Sequence, residues 1–286
     1  MEVKDNKIER KNTIKCGDKL IQLDGLKIMG ILNVTPDSFF PNSRMSNSEQ
    51  LLDKARTMIQ AGADFIDVGG FSTRPGASFI SEEVELKRVI PSIETLRQAY
   101  NDIIISVDTF RSEVARQAIE AGANIINDVF SGRMDDRIFD IAAEYDVPYI
   151  LTHSRGDAKT MQSLTLYEDV VADVCKELSV KVSILKEKGV KDIILDPGFG
   201  FAKTMEQNYE LLNNLELLHV LNCPIIIGVS RKGMIYKKLN ITPEEALNGT
   251  TAINTVGAMK GASILRVHDV LEAKQIATLL NDNLLK

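Results

Sequence analysis

Apolar residues in this chain come in short continuous runs, and a helical pattern follows each run. The runs are 28–34 (IMGILNV), 65–69 (FIDVG), 103–108 (IIISVD), 125–129 (IINDV), 148–153 (PYILTH), 193–196 (IILD), 225–229 (IIIGV) and 263–267 (SILRV). Between and after them the spacing predicts helices near 47–61, 81–99, 111–121, 135–145, 167–188, 204–221, 243–260 and 269–284. A continuous β-branched run, unlike an alternating one, marks a strand buried on both faces, as in a parallel sheet. Eight strand–helix pairs between residues 28 and 284 are the size of a (β/α)8 TIM barrel. The rival is an open doubly wound sheet. It carries a glycine-rich fingerprint after its first strand, and Asn33-Val34-Thr35-Pro36-Asp37 is not one.

The punctuation agrees with this pattern. Thr204 with Gln207, and Thr242-Pro243 with Glu245, match the capping box at a helix start. Gly62, Gly122, Gly189 and Gly261 stand where helices end before the next strand, the position of a left-handed C-cap. Residues 13–24 (TIKCGDKLIQLD) alternate around Gly17-Asp18 and read as a β-hairpin, which would cover the amino-end of the barrel. Residues 1–12 read as a disordered tail and residues 13–286 as a single barrel domain without an internal linker.

Composition narrows the function classes. The chain has 286 residues, 44% of them hydrophobic, enough to bury a full core. A net charge of −6 argues against a nucleic-acid or anionic-membrane surface. No apolar run reaches the roughly 18 residues that span a bilayer, and the polar start MEVKDNKIERKN lacks a signal-peptide core. Cys16, Cys175 and Cys223 are far apart and show no metal or redox spacing. A cytoplasmic protein with reduced thiols is the expectation.

In a (β/α)8 barrel the chemistry sits at the carboxyl ends of the strands. Here those ends carry Asn33, Asp67, Asp108, Asn127 with Asp128, His153, Asp196, Ser230-Arg231-Lys232, and Arg266 with His268. Asp108, Asn127 and Asp196 converge from three strands. Two carboxylates accept N–H groups while an amide both donates and accepts, so together they suit the donor edge of an amino-pyrimidinone ring. Behind Asp196 the stretch Asp-Pro-Gly-Phe-Gly-Phe (196–201) places bare backbone and two rings beside that acid. Lys232, Arg266 and His268 form a basic counterpart where barrel enzymes bind phosphate. His153 reads as structural. Two long polar loops, Thr35–Ser46 and Gly69–Ser81, lie at the same face and could close over a substrate.

The motifs GILNVTPDSF (30–39), STRPGA (72–77), SVDT (106–109), INDV (126–129), LDPGFGF (195–201), GVSRK (228–232) and RVHD (266–269) occur in this order at strand ends. Together they resemble the dihydropteroate synthase family, from about residue 16 to the C-terminus. The resemblance implies an enzyme of folate biosynthesis. It would join (7,8-dihydropterin-6-yl)methyl diphosphate to 4-aminobenzoate, giving 7,8-dihydropteroate and diphosphate by a dissociative substitution. It implies Asp108, Asn127, Asp196 and Lys232 on the pterin. Asn33, Thr73, Arg74, Arg266 and His268 would serve the diphosphate, with Mg2+ as cofactor near Asn33. Phe39, Pro75, Phe201 and Lys232 would line the 4-aminobenzoate pocket, and Asp37, Asp108 and Lys232 would take part in catalysis. A homodimer and inhibition by sulfonamides, which mimic 4-aminobenzoate, are implied as well. The absence of any Ser-His-Asp or Cys-His arrangement fits a reaction that needs no strong base.

Three positions depart from the family pattern. Phe71 stands where many members have Glu, Pro41-Asn42-Ser43 where many have Asp-Gly-Gly, and Gly233 where Ser or Arg is frequent. A methyltetrahydrofolate:corrinoid methyltransferase shares the barrel and the Asp/Asn recognition of a pterin but holds no diphosphate. Arg266, His268 and the NVTPDSF loop argue against it.

Overall fold

The computed structural model describes residues 11–35, 44–71, 80–157 and 160–281. The chain opens with an antiparallel hairpin, β1 (Thr13–Cys16) and β2 (Lys19–Gln22), in the predicted place. Eight parallel strands follow: β3 (Lys27–Asn33), β4 (Phe65–Gly69), β5 (Ile104–Asp108), β6 (Ile125–Asp128), β7 (Tyr149–Thr152), β8 (Ile193–Asp196), β9 (Ile226–Ile227) and β10 (Ile264–Val267). Their order in the sheet is β8-β7-β6-β5-β4-β3-β10-β9. A parallel bridge from Leu195 to Ile225 brings β8 back to the start of β9 and completes the barrel. The (β/α)8 TIM barrel read from the sequence is therefore the fold.

The helices are α1 (Arg44–Gln60), α2 (Glu82–Ala99), α3 (Ser112–Glu120), α4 (Ile138–Glu144), α5 (Val170–Glu187), α6 (Met205–Asn213), α7 (Gly233–Leu239), α8 (Leu247–Met259) and α9 (Val270–Asn281). Four of them end as predicted. The amides of Ala63, Ala123, Val190 and Ala262 each reach back five residues, to the carbonyls of Met58, Ala118, Leu185 and Gly257. The glycine just before each amide has positive φ, as this C-cap requires. The Thr204–Gln207 capping box forms in both directions.

Three local readings need correction. The helix expected over 204–221 breaks after Asn213 into a 3₁₀ segment, Leu215–Leu221. The short helix α7 was not expected: its start, Lys232, offers no side-chain cap, so the sequence carries no start signal there. Glu245 does accept the Thr242 amide, but a turn follows, and α8 begins later, after Ala246.

Polarity inside the barrel changes with height. One residue from every strand, Met29, Phe65, Ile104, Ile125, Ile150, Ile194, Ile226 and Ile264, packs with Ile14, Cys16 and Leu23 of the hairpin into one apolar cluster. The hairpin is thus a plug at the amino-end. It is tied down by Lys15 N–H to Asp192 (2.9 Å) and by the ion pairs Lys15–Asp146 and Lys19–Asp102. Of the tail read over 1–12, residues 1–10 lie outside the described residues. Lys11 is paired with Asp192 (2.6 Å), and the Asn12 carbonyl accepts the Leu23 amide.

Two residues further along each strand, on the same face, the next tier is Ile31, Asp67, Ser106, Asn127, Thr152, Asp196, Gly228 and Arg266. Apart from Ile31, no large apolar side chain stands in it. The apolar tier and its plug fill the lower lumen, the larger apolar core lies between strands and helices, and the polar tier is left for chemistry.

Ile14→Ala tests this division. Ile14 is fully buried, and losing its side chain should cost about 2–5 kcal/mol of stability. Thermal denaturation should show the loss, while the polar tier, with its ligand affinity measured well below the melting point, stays unchanged.

Candidate active site

The polar tier is held by one guanidinium. Arg266 of β10 donates through Nε to Asp67 Oδ2 on β4 and through Nη2 to Asp108 Oδ2 on β5, both at 2.6 Å. Asp67 Oδ2 also accepts Asn127 Nδ2 of β6 at 3.0 Å. Strands β10, β3, β4, β5 and β6 are neighbours in the sheet, so their inward side chains meet across the lumen. Asp67 is fully buried and joins three of the residues that the sequence singled out. Its place at a strand end was visible in the sequence, but nothing in its neighbours FIDVG gave it a partner.

Asp196, at the end of β8, accepts the amide of Gly198 at 2.7 Å. A Cβ built on Gly228 would lie 3.9 Å from both Asp196 Oδ2 and Arg266 Cδ. The missing side chain therefore opens the space between that acid and the guanidinium. Lys232, at the start of α7, donates to the Phe199 carbonyl at 2.6 Å, and its ammonium lies 4.5 Å from the centre of the Phe201 ring. That contact is a cation–π pair. Phe199 itself is fully buried, as structural packing requires.

Three acids, Asp67, Asp108 and Asp196, thus share the lumen with two cations, Arg266 and Lys232. The charges do not balance, and burial makes the imbalance costly. Burial pushes the Asp108 carboxyl up to about 7, against the pull of Arg266, and Asp67 pushes it further the same way. Asp196 is raised by burial, with Lys232 and the Gly198 amide opposing. Lys232 is brought down to about 8 by burial, although Asp196 supports its charge. Burial also works against the Arg266 charge, but Asp67 and Asp108 outweigh it and keep the guanidinium firmly protonated. Asp67 Oδ1, Ser106 Oγ and Thr152 Oγ1 are buried and meet no hydrogen-bond partner among the described residues. A ring rich in N–H groups would fit this tier.

His268 follows Arg266. Its Nδ1 lies 3.1 Å from Ser230 Oγ, which also accepts the His268 amide at 3.2 Å. Beside it Arg231 makes a bidentate pair with Asp269 (2.9 and 2.8 Å) and donates to the carbonyls of Pro243 and Glu244, so Arg231 is structural. Asn33 ends β3. A Cβ on Gly69 would sit 3.7 Å from Asn33 Oδ1 and 3.6 Å from Asp108 Oδ2, which places both oxygens around the same glycine. Asp128 points out of the barrel, where it accepts Tyr149 Oη and the amides of Phe130 and Gly132. Asp37, Phe39, Thr73, Arg74 and Pro75 lie outside the described residues, as do Pro41-Asn42-Ser43.

Two further features escaped the sequence reading. Buried Glu85 of α2 accepts Thr109 Oγ1 at 2.7 Å and pairs with Arg111, tying α2 to the segment after β5. Beside it Phe71 is buried against Phe110, edge to face at 5.3 Å, and Phe110 against Phe130 at 5.2 Å. The departure at residue 71 is thus absorbed in an aromatic cluster. His153 is buried and engaged at both nitrogens, by Glu177 (3.1 Å) and Lys203 (2.9 Å).

Comparison with known proteins fits this geometry. The model of the family described as pterin binding enzyme matches residues 29–268. A dihydropteroate synthase of Clostridium beijerinckii is 46% identical over 268 residues, covering 92% of this chain and 97% of the relative. Among solved structures, Yersinia pestis dihydropteroate synthase in a sulfonamide drug complex superposes with a TM-score of 0.88 at 38% identity, over 94% of this chain and 98% of the other. The Xanthomonas albilineans dihydropteroate synthase with 4-aminobenzoic acid gives 0.88 at 37% identity, over 95% and 97%.

The raised Asp108 carboxyl has a measurable consequence. Folded, it holds its proton up to about 7; its ordinary value is 3.8. Between those values the folded protein binds more protons than the unfolded chain, so stability falls as pH rises through the window. Asp108→Asn should remove this component. Denaturant titrations of both proteins from about pH 4 to pH 8 would show the slope in the wild type and its reduction in the variant.

Proposed function

The chain belongs to the pterin binding enzyme family, among its dihydropteroate synthases, and from this premise we propose how its residues share the work. The activity is the condensation of (7,8-dihydropterin-6-yl)methyl diphosphate with 4-aminobenzoate to 7,8-dihydropteroate and diphosphate, a step of folate biosynthesis. The observation that carries the assignment of roles is the polar tier: two acids on one guanidinium, an amide on one of those acids, and Asp196 alongside, above a tier packed with apolar side chains.

In this reading Asp108, Asn127 and Asp196 hold the donor edge of the pterin, and Ser106 and Thr152 add the two hydroxyls of the same tier. N–H groups of the ring would give the buried carboxylates the partners that two cations alone do not supply. Arg266 and Lys232 border the ring, and His268 lies beyond Arg266 toward the diphosphate. Among the described residues Arg266 donates through Nε and Nη2, and we assign its Nη1 to a phosphate oxygen.

Asn33 is the proposed Mg2+ residue. Among the described residues no cluster of three acidic, histidine or cysteine side chains could cage a metal. Mg2+ keeps several waters and takes substrate phosphate oxygens, so it needs few protein ligands; the amide oxygen of Asn33 beside Asp108 fits such a site. When bound, the ion would neutralise charge on the departing diphosphate.

The substitution is proposed to be dissociative. Arg266, Lys232 and His268 stabilise the leaving diphosphate. Asp108, Asp196 and Asp37 place negative charge near the pterin methylene as it becomes cationic. The amine of 4-aminobenzoate then attacks the cationic methylene, forming the C–N bond and losing one N–H proton to solvent, with its ring against Phe201, Phe39 and Pro75. Thr73 and Arg74 are assigned to the diphosphate. A homodimer is part of the proposal. It is supported by exposed Leu217, Val220, Val256 and Met259, the last two of which share a groove with Glu216. A cytoplasmic site of action is proposed on the free state of Cys16, Cys175 and Cys223.

Incubating the protein with the pterin diphosphate, 4-aminobenzoate and Mg2+ should yield dihydropteroate and equimolar diphosphate, separable by chromatography. No product at any Mg2+ concentration overturns the reading. Asp108→Ala should weaken pterin binding about 10- to 100-fold by calorimetry, the scale of a lost charged hydrogen bond. Lys232→Ala should weaken both substrates, because its ammonium faces both the Asp196 side and the Phe201 ring.

A further inference from the structure

Lys203 follows the turn that links the two proposed subsites, and its ammonium is buried. It donates to the Gly198 carbonyl (3.0 Å) and the Phe201 carbonyl (3.1 Å) and contacts His153 Nδ1 at 2.9 Å. An ammonium has three donors, and here all three have acceptors. The turn it grips is not a relaxed one. Gly198, Gly200 and Ala202 all have positive φ (70°, 80° and 49°), and for alanine this conformation carries strain that the surroundings must sustain. A Cβ on Gly198 would fall 1.8 Å from the His153 carbonyl oxygen, so the turn is pressed against the segment after β7. Lys232 holds the Phe199 carbonyl of the same turn.

We propose that Lys203 is a positioning residue for both substrates: by clamping the Gly198 and Phe201 carbonyls it fixes Asp196 at one end of the turn and the Phe201 ring at the other. This rests on the assignment of Asp196 to the pterin and Phe201 to 4-aminobenzoate. Asp196 is bonded to the amide of Gly198, the residue whose carbonyl Lys203 holds. A shift of the turn therefore moves the acid and the ring together.

The groups around the ammonium are Asp196 and Lys232 on the site side and His153, Glu177 and Arg155 behind it. His153 is kept neutral, down to about 4, by burial and by Lys203 itself. With Glu177 accepting at Nε2, its Nδ1 lone pair is available to Lys203. Burial brings Lys203 down to about 7, with Asp196 supporting the charge and Lys232 opposing it. Below that pH the ammonium has three N–H groups to give; above it the amine has two, and the grip loosens as pH rises.

The test compares the wild type with K203M, which keeps the apolar stem, and K203R, which keeps a charge that does not titrate. Folding is checked by melting curves. K203M should raise KM for both substrates about tenfold or more, the scale of one charged hydrogen bond, while kcat falls much less. In the wild type KM for 4-aminobenzoate should climb as pH passes through about 7; both variants should lose the part of that rise that Lys203 contributes and keep the part that belongs to Lys232 and Asp108. A folded K203M with both KM values within about twofold of wild type overturns the proposal. So does a K203R that retains the full wild-type pH rise, a result that decides the matter if K203M does not fold. A wild type that forms no dihydropteroate would instead overturn the underlying assignment of function, so the two failures are distinguishable.

Discussion

Arg266 makes the acids of the barrel tolerable. Asp67, fully buried, would otherwise be a bare carboxylate in the lumen, and an unpaired buried charge costs several kcal/mol. With Arg266 between Asp67 and Asp108, and Asn127 closing on Asp67, three side chains from β4, β5 and β6 are set around one planar cation. The guanidinium suits this place because it is planar, always charged and forked. A lysine at 266 would offer one point charge on a flexible stem and could not fix two carboxylates in one plane. The remaining charge imbalance falls on Asp108, whose carboxyl is pushed up to about 7. The site is strained electrostatically in a way that a donor-rich ligand would relieve. In the proposed complex the cost of holding the acids would be offset, as it is not in the free protein.

That cost is carried elsewhere in the barrel. The hairpin inserts Ile14 and Cys16 beneath a ring of one apolar side chain from each barrel strand. The same face of the same strands, two residues later, is polar. Because side chains on a strand alternate faces, the outward residues of this upper tier remain free to pack on the helices, as Val68, Val107 and Leu195 do in the main core. The polar tier therefore does not cost the barrel its helix packing.

The sequence made legible whatever depends on local pattern. Continuous apolar runs marked the eight strands, glycines marked four helix ends, and residues at strand ends marked Asp108, Asn127, Asp196, Lys232, Arg266 and His268. The structure brings Asp108, Asn127 and Arg266 into one bonded set through Asp67, and places Asp196 and Lys232 alongside. What was not legible depends on contact across the chain. Asp67 and Arg266 are 199 residues apart, so no local signal could pair them. Lys203 went unmarked, because nothing local in the sequence shows that its ammonium is buried or that it meets His153, 50 residues earlier. The short helix α7 lacks a polar cap, so nothing in the local sequence announced it.

Phe71 shows how a departure from a family pattern is settled by surroundings rather than by residue type. An acid at that position would be surrounded by Phe110 and, through it, Phe130, with Glu85 already buried on the neighbouring helix face. Glu85 has its carboxylate engaged by Thr109 and Arg111, so a second acid there would need a cation of its own. The phenylalanine avoids that demand. It gives the start of the second loop an apolar anchor, with edge-to-face geometry that adds to simple burial. The same logic governs Asp67 and Asp108 in the barrel interior, whose charges are met by Arg266 from a strand distant in sequence.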